Sequence, residues 1–235
     1  MAPPEVPPEL PHPEVQPAPL GPAPLVYLIT DGAAATGGRP VDEVIAEALR
    51  ALPRPSVPAG AVAVQLREKD LPVAAVLQLA RRLRAVTSRA GVRLFVNDRV
   101  DVALAVGADG VHLGHRSMNV ADVRAVAPAL QLAVSTHALA EVQAAAETGQ
   151  VSFVVFGPIF DTPSKRLYGS PLGLAPLRQA CAVGIPVLAL GGVDLENVAS
   201  CRHAGASGIA CIRAVLRNPD PARALSSFFG AIEST

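Results

Sequence analysis

Residues 61–97 read AVAVQLREKDLPVAAVLQLARRLRAVTSRAGVRLFVN, and this stretch contains the structural unit that recurs along the chain. Its two ends are apolar and rich in β-branched residues, which is typical of buried strands. Between them, apolar residues at positions 73, 76, 77, 80 and 83 fall on one face of a helix. Asp70 is placed to cap the start of that helix and Gly91 to end it. The stretch therefore predicts a strand, a helix over 71–89 and a second strand.

The same alternation of strand and helix extends in both directions from this unit. We predict strands at 25–30, 61–69, 92–97, 110–113, 131–135, 153–157, 186–190 and 208–212, and helices near 41–52, 71–89, 99–106, 119–127, 138–148, 172–182, 194–203 and 220–233. Eight such units in a chain of this length fit an α/β fold, the closed (β/α)₈ TIM barrel. An open doubly wound sheet is the alternative, but DGAAA at 31–35 stands where its first strand would be followed by a G-x-G-x-x-G turn.

The first 24 residues differ from the rest of the 235-residue chain. Ten of the 23 prolines fall there, and proline lacks the N–H that helices and sheets require. We therefore predict a disordered proline-rich tail over 1–24 and a single folded domain over 25–235.

Charge and hydropathy exclude several classes of protein. The chain has 20 basic and 20 acidic residues, and because Glu5, Glu9 and Glu14 belong to the tail, the domain has a small positive excess. That excess is no nucleic-acid signature, no apolar run is long enough to span a membrane, and the start of the chain does not resemble a secretory signal. Three cysteines without C-x-x-C spacing favour reduced thiols, so we expect a cytoplasmic protein. A homo-oligomer is compatible with the sequence.

Polar residues at the carboxyl ends of barrel strands need an explanation, because functional sites lie there. In the strand predicted at 61–69, alternation directs Gln65, Arg67 and Lys69 toward the barrel axis. These side chains form either a salt-bridge layer that fills the barrel or an anion site, for which phosphate would supply strong acceptors.

The next strand ends carry residues with two interpretations each. Asp98, which follows Asn97, either caps the next helix or binds magnesium, since Mg²⁺ takes carboxylate and substrate phosphate oxygens. His112 and His137 lie on the fourth strand and after the fifth. A single histidine is commonly structural, but the hydroxyl of Ser135 near His137 favours a functional site.

Two further regions contain residues suited to phosphate. The loop after the sixth strand contains two hydroxyls and a lysine, at Thr162, Ser164 and Lys165. This loop is either a solvated surface loop or a phosphate clamp. Gly192 follows the seventh strand, and Arg213 follows the eighth, which is where barrels frequently bind phosphate.

Six motifs follow one another along the predicted barrel. They are VQLREK at 64–69, VNDRVD at 96–101, GADGVHLG at 107–114, VSTH at 134–137, GPIF at 157–160 followed by TPSK at 162–165, and LGGV at 190–193. Together and in this order they resemble the thiamine phosphate synthase family, which also contains the thiazole tautomerases. The resemblance extends over essentially the whole predicted barrel.

The resemblance implies a transferase of thiamine biosynthesis that joins hydroxymethylpyrimidine diphosphate to thiazole phosphate. In this family diphosphate leaves, the pyrimidine stabilises the resulting methylene cation, and the thiazole nitrogen attacks it. The matching positions assign the diphosphate to Arg67, Lys69, Asn97 and Lys165, the pyrimidine to Gln65 and Ser135, Mg²⁺ to Asp98, and the thiazole phosphate to Thr162, Ser164, Gly192, Ile212 and Arg213.

Two positions depart from the family's pattern. Where the synthases usually continue Gln-x-Asp and supply a second magnesium carboxylate, this chain reads His115-Arg116-Ser117, so we expect a weakened Mg²⁺ site. Arg213 stands where the family usually has serine, and it either strengthens phosphate binding or crowds it.

The tautomerase branch of the family is the alternative. It uses a histidine at the position of His137 for proton transfer, but the synthases keep that histidine as well. Retention of the full diphosphate set favours the synthase. A non-catalytic barrel that binds thiamine phosphate is the third hypothesis.

Overall fold

The computed structural model describes residues 20–50, 52, 58, 60–162 and 170–234, and its eight strands close into a parallel barrel in chain order. The strands are β1 (Val26–Ile29), β2 (Val62–Leu66), β3 (Arg93–Asn97), β4 (Gly110–Leu113), β5 (Gln131–Thr136), β6 (Phe153–Phe156), β7 (Val187–Leu190) and β8 (Gly208–Cys211). Closure is made by β1, in which Val26 lies opposite both Val62 of β2 and Ile209 of β8. The predicted TIM barrel is confirmed, and the open doubly wound sheet is excluded.

Helices follow the strands as the alternation predicts. Those in the described residues are α1 (Gly32–Ala35), α2 (Val41–Arg50), α3 (Val73–Ala90), α4 (Val100–Val106), α5 (Val120–Val126), α6 (Leu139–Glu147), α7 (Leu174–Cys181), α8 (Val198–His203), α9 (Arg213–Leu216) and α10 (Pro221–Glu233). The sequence pattern did not predict α1 and α9, because a helix of four residues is too short to show a helical period.

Alternation along each strand divides the core into two layers. In β2, Val62, Val64 and Leu66 belong to the large cluster between the sheet and the helices. Ala63 belongs instead to a smaller cluster inside the barrel, and Gln65 lines the cavity at the barrel's carboxyl end. The predicted direction of Gln65 toward the barrel axis is confirmed, and the alternate residues of this strand face the helices.

Three aromatic rings fill the interior of the barrel. Tyr27 meets Phe95 and Phe153 edge to face, with ring centroids 5.7 Å and 5.3 Å away, and the two phenylalanine rings lie 5.5 Å apart. Gly110 makes this packing feasible, because a Cβ at that position would lie 2.3 Å from the Phe95 ring. The filled interior limits any large ligand to the carboxyl ends of the strands.

Two predicted boundaries are wrong for identifiable reasons. The N-cap of α3 is Pro72, with no side-chain cap, so Asp70 does not cap this helix. Gly91 ends α3 as predicted, in the left-handed region with φ 63°. The strand predicted to reach residue 69 ends at Leu66, since its last pairing with β3 joins Leu66 to Val96.

The segment before β1 is described only from residue 20 onward. Ala23 packs against the cluster inside the barrel, and Pro24 is buried, so packing begins before Leu25. Residues 1–19 lie outside the described residues, and the disordered tail stays a prediction. No helix in the described part of the chain combines the length and apolarity needed to cross a membrane.

Candidate active site

A cavity of about 770 Å³ opens at the carboxyl ends of the strands. Its lining includes eleven residues predicted for the site, namely Gln65, Arg67, Lys69, Asn97, Asp98, Ser135, His137, Thr162, Gly192, Ile212 and Arg213. The two other predicted residues, Ser164 and Lys165, lie outside the described residues. Strand ends far apart in sequence thus meet around one cavity, while the roles of these residues stay predictions.

The lining of the cavity has an excess of positive charge. Arg67 is held at two points, since its backbone N–H donates to Thr30 Oγ1 at 2.8 Å and its guanidinium pairs with Asp31. Among the described lining residues, the five Lys and Arg side chains at positions 67, 69, 99, 116 and 213 outnumber the three acids at positions 31, 68 and 98. This excess suits a ligand with several negative charges.

Gln65 and Asn97 are joined across neighbouring strands β2 and β3. The Gln65 Nε2 donates to Asn97 Oδ1 at 3.2 Å, which leaves the Asn97 amide hydrogens for other acceptors. Gln65 is only 1% exposed, and its Oε1 has no hydrogen-bond partner. A buried acceptor without a partner costs about 1–3 kcal/mol, so a ligand N–H at this position would be favoured.

His112 stands between a phenol and a serine hydroxyl inside the barrel. Its Nδ1 lies 3.3 Å from the hydroxyl of Tyr27, and its Nε2 lies 2.8 Å from Ser135 Oγ. Burial, with a smaller effect from the Arg67 charge, lowers the pKa of His112 to about 3. Burial also raises the pKa of Tyr27 well above its usual value. At neutral pH both groups are therefore uncharged.

His137 is held by the loop that follows β6. Its Nδ1 donates to the carbonyl oxygen of Gly157 at 2.6 Å, because a carbonyl oxygen only accepts. Its backbone N–H donates to Glu141 Oε2 at 2.5 Å. Nε2 is therefore the ring nitrogen available to a ligand.

The loop after β7 can only be built from glycine. Gly191 and Gly192 have φ of 97° and 64°, a region that disfavours side chains. A Cβ on Gly192 would lie 2.6 Å from the Asp161 carbonyl oxygen and 2.8 Å from Phe160 Cβ. The backbone therefore borders the cavity directly at this point, beside the end of the neighbouring strand β8 and the start of α9 at Arg213.

Asp98 has an unusual backbone conformation, with φ 64°. The N-cap of the following helix α4 is Arg99, without a side-chain cap, so the capping interpretation of Asp98 is wrong. Its own backbone N–H donates to the His112 carbonyl oxygen at 2.9 Å, which fixes the turn. The exposed carboxylate is thereby left at the mouth of the cavity.

The residues present fit magnesium only together with a ligand. Ser117 Oγ accepts a hydrogen bond from the backbone N–H of Gly114 at 2.8 Å, so this hydroxyl stabilises the turn over residues 114–117. Across the described ranges, no group of three or more His, Cys, Asp or Glu could hold a metal. Mg²⁺ commonly binds one or two carboxylates plus substrate phosphates, which Asp98 and a diphosphate would provide.

Sequence reasoning missed two polar contributors to this site. Tyr27 lies in an apolar strand, and only its inward-facing hydroxyl could have indicated a polar role. Asp31, which pairs with Arg67, comes from a loop whose path the sequence does not specify.

The cysteines are not nucleophiles of this site. All three are free, and burial raises the pKa of Cys181 and Cys201 to about 11 and that of Cys211, which lines the cavity, to about 12. Thiols with such pKa values are not ionised at neutral pH.

Comparison with known proteins agrees with the geometry. A sequence model described as thiamine monophosphate synthase matches residues 26–215. A putative thiamine-phosphate synthase of Geobacter sulfurreducens is 45% identical over 205 residues, covering 85% of this chain and 92% of its own. A thiamine-phosphate synthase of Roseiflexus castenholzii is 46% identical over 199 residues, covering 84% and 83% respectively. The solved structure of thiamine phosphate pyrophosphorylase from Pyrococcus furiosus superimposes with a TM-score of 0.77 at 33% identity, covering 89% of this chain and 95% of that one.

Proposed function

This chain belongs to the thiamine monophosphate synthase family, and from that premise we propose that it is a thiamine phosphate synthase. It would join hydroxymethylpyrimidine diphosphate to thiazole phosphate and release diphosphate. The observation that carries the proposal is a single cavity with a cationic side at Arg67 and Lys69 and a second, glycine-lined side at Gly192. Two separate phosphorylated groups would be bound on these two sides.

The pyrimidine is recognised by complementary hydrogen-bonding groups. The unpartnered Gln65 Oε1 accepts an N–H from the amino group of the pyrimidine, which removes the cost of that buried acceptor. Ser135, which borders the same cavity, makes the second contact to this substrate. These contacts align the methylene carbon with the cationic side of the cavity.

Charge stabilisation drives the first chemical step. The bond between the methylene carbon and the diphosphate oxygen breaks, and its electron pair leaves with the diphosphate. Arg67, Lys69 and Lys165 balance the negative charge that develops, and the free amide hydrogens of Asn97 donate to the same group. Asp98 would hold Mg²⁺ against the diphosphate, and the ion, when bound, supplies further positive charge.

The second step forms the new carbon–nitrogen bond. The lone pair of the thiazole nitrogen attacks the methylene cation, and no proton has to move. The thiazole phosphate is held by Thr162, Ser164, Gly192, Ile212 and Arg213. Because the displacement balances without proton transfer, His137 has no acid or base role in it. Its free Nε2 would serve proton transfer only in the tautomerase alternative.

A comparison of two arginine variants tests this function. We expect Arg67→Ala to lower kcat/KM for thiamine phosphate formation by about 100-fold or more, since it removes a charge from the leaving group. Arg82→Ala is the matched control, because Arg82 is exposed and pairs with Asp42 outside this cavity. Equal activity of the two variants would contradict the assignment. Thiazole aromatisation that depends on His137, without thiamine phosphate, would support the tautomerase instead.

A further inference from the structure

Tyr27, His112 and Ser135 form a hydrogen-bonded chain that runs from the closed interior of the barrel to the cavity. The phenol of Tyr27 is fully buried, at 0% exposure, and His112 is 2% exposed. Ser135 is half-buried and borders the cavity. This hydrogen-bonded series of side chains thus has one end that is closed to solvent, at Tyr27, and one end at the ligand cavity, at Ser135.

The buried end determines the direction of the first hydrogen bond. Within the described residues, the Tyr27 hydroxyl contacts one acceptor, His112 Nδ1, at 3.3 Å. If the phenol instead accepted a proton from Nδ1, its own O–H would be buried without an acceptor, which costs about 1–3 kcal/mol. The phenol therefore donates, and Nδ1 of His112 carries no proton.

The direction of the second hydrogen bond follows from the first. A neutral imidazole carries one proton, so with Nδ1 bare the proton resides on Nε2. Nε2–H then donates to Ser135 Oγ, 2.8 Å away. The Ser135 hydroxyl hydrogen has no other acceptor among the described residues and is left for the cavity.

We propose that Tyr27 is a positioning residue that fixes the Nε2–H tautomer of His112 and so makes Ser135 a hydrogen-bond donor to the pyrimidine diphosphate. In the opposite tautomer Ser135 would give its hydrogen to His112 and would offer the ligand only an acceptor. The three hydrogen-bonded side chains therefore favour a ligand atom with a lone pair next to Ser135. Such an atom is a ring nitrogen or a diphosphate oxygen. The inference about the ligand rests on the proposed function, whereas the tautomer does not.

Nitrogen-15 NMR of the His112 ring in the complete wild-type protein tests the tautomer without any turnover. We expect Nε2 to be the protonated nitrogen, with assignment made by loss of the signal in His112→Gln. A ring with the proton on Nδ1 would overturn the proposal, and this reading stands even if the protein lacks synthase activity. Tyr27→Phe keeps the ring that packs on Phe95 and Phe153 and is expected to give a mixed tautomer.

Kinetics of the same variant test the connection to Ser135. We expect Tyr27→Phe to lower kcat/KM for the pyrimidine diphosphate about tenfold, because a change of this size corresponds to the loss of one hydrogen bond. KM for the thiazole phosphate should stay unchanged. In a Ser135→Ala background the same change should have no further effect. Equal losses for both substrates, or full additivity with Ser135→Ala, would show a merely structural role and overturn the proposal.

Discussion

At the scale of single residues, His112 shows how strongly burial can change the chemistry of a side chain. Its pKa in the folded chain is about 3, against 6.5 for an unperturbed histidine. Below pH 6.5 His112 is therefore protonated in the unfolded chain but stays neutral in the folded chain, so the free energy of unfolding falls as the pH falls. This acid sensitivity is the cost of keeping a neutral ring beside Ser135.

The pH dependence of unfolding measures this effect. Between pH 6.5 and pH 5.0 we expect the urea unfolding free energy of the wild type to fall by about 1.5 kcal/mol more than that of His112→Gln. His203→Gln, at an exposed position, is the control and should follow the wild type. Identical pH dependence in the wild type and His112→Gln would show that His112 binds a proton as readily in the folded protein as in the unfolded chain.

Ser117 is the second residue whose chemistry can be tested alone. Its hydroxyl accepts the Gly114 N–H at the mouth of the cavity, and a carboxylate could keep this bond while offering an oxygen to magnesium. We expect Ser117→Asp to lower the Mg²⁺ concentration needed for half-maximal activity. Ser117→Asn, which adds a similar volume without charge, should not. If both variants require as much Mg²⁺ as the wild type, the ion does not bind between Asp98 and this turn.

At the scale of elements, the loop after β7 combines a backbone requirement with a binding role. A side chain on Gly192 would clash with the Asp161 carbonyl oxygen and with Phe160 and would displace the loop. We expect Gly192→Ala to raise KM for the thiazole phosphate at least about tenfold, the loss of one or two hydrogen bonds, with little effect on KM for the pyrimidine diphosphate. Gly230→Ala in α10, where a Cβ meets nothing within 4 Å, is the control. A rise in both KM values would place the thiazole phosphate elsewhere.

Elements with a clear period were predictable from the sequence, and irregular ones were not. The helix α3 and the two-sided strand β2 follow from spacing, because each presents a continuous apolar face. The four-residue helices α1 and α9 carry no such pattern. The start of α3 at Val73 was missed because Asp70 is a favoured N-cap residue, whereas the observed N-cap, Pro72, has no side chain that can cap a helix.

In the candidate site, too, the sequence indicated single residues but not the contacts between them. Gln65 was placed by strand alternation and Asn97 by its position at a strand end, but their mutual hydrogen bond, and the unpartnered Gln65 oxygen it leaves, depend on the register of β2 and β3. Tyr27 was missed because nothing local links it to His112, which lies 85 positions further along the chain. Contacts across a closed barrel depend on packing, which local patterns do not encode.

At the scale of the whole molecule, all eight strands of the closed barrel lie after residue 25, and the packing onto them begins only shortly before the first strand. β1 begins at Val26, and among the described residues Ala23 is the start of the packing inside the barrel. We expect deletion of residues 1–19 to leave kcat, both KM values and the melting temperature unchanged. A shortened chain that binds either substrate more weakly would assign the proline-rich segment a part in the site.

The barrel's closure brings the cationic side and the glycine-lined side to one cavity, and a thiamine phosphate synthase would use both sides in one reaction. The most direct test incubates the wild-type chain with hydroxymethylpyrimidine diphosphate, thiazole phosphate and Mg²⁺ and measures products by phosphorus NMR and mass spectrometry. We expect thiamine phosphate and diphosphate in equal amounts. Binding of thiamine phosphate without turnover, or consumption of neither substrate, would contradict the assignment as a thiamine phosphate synthase.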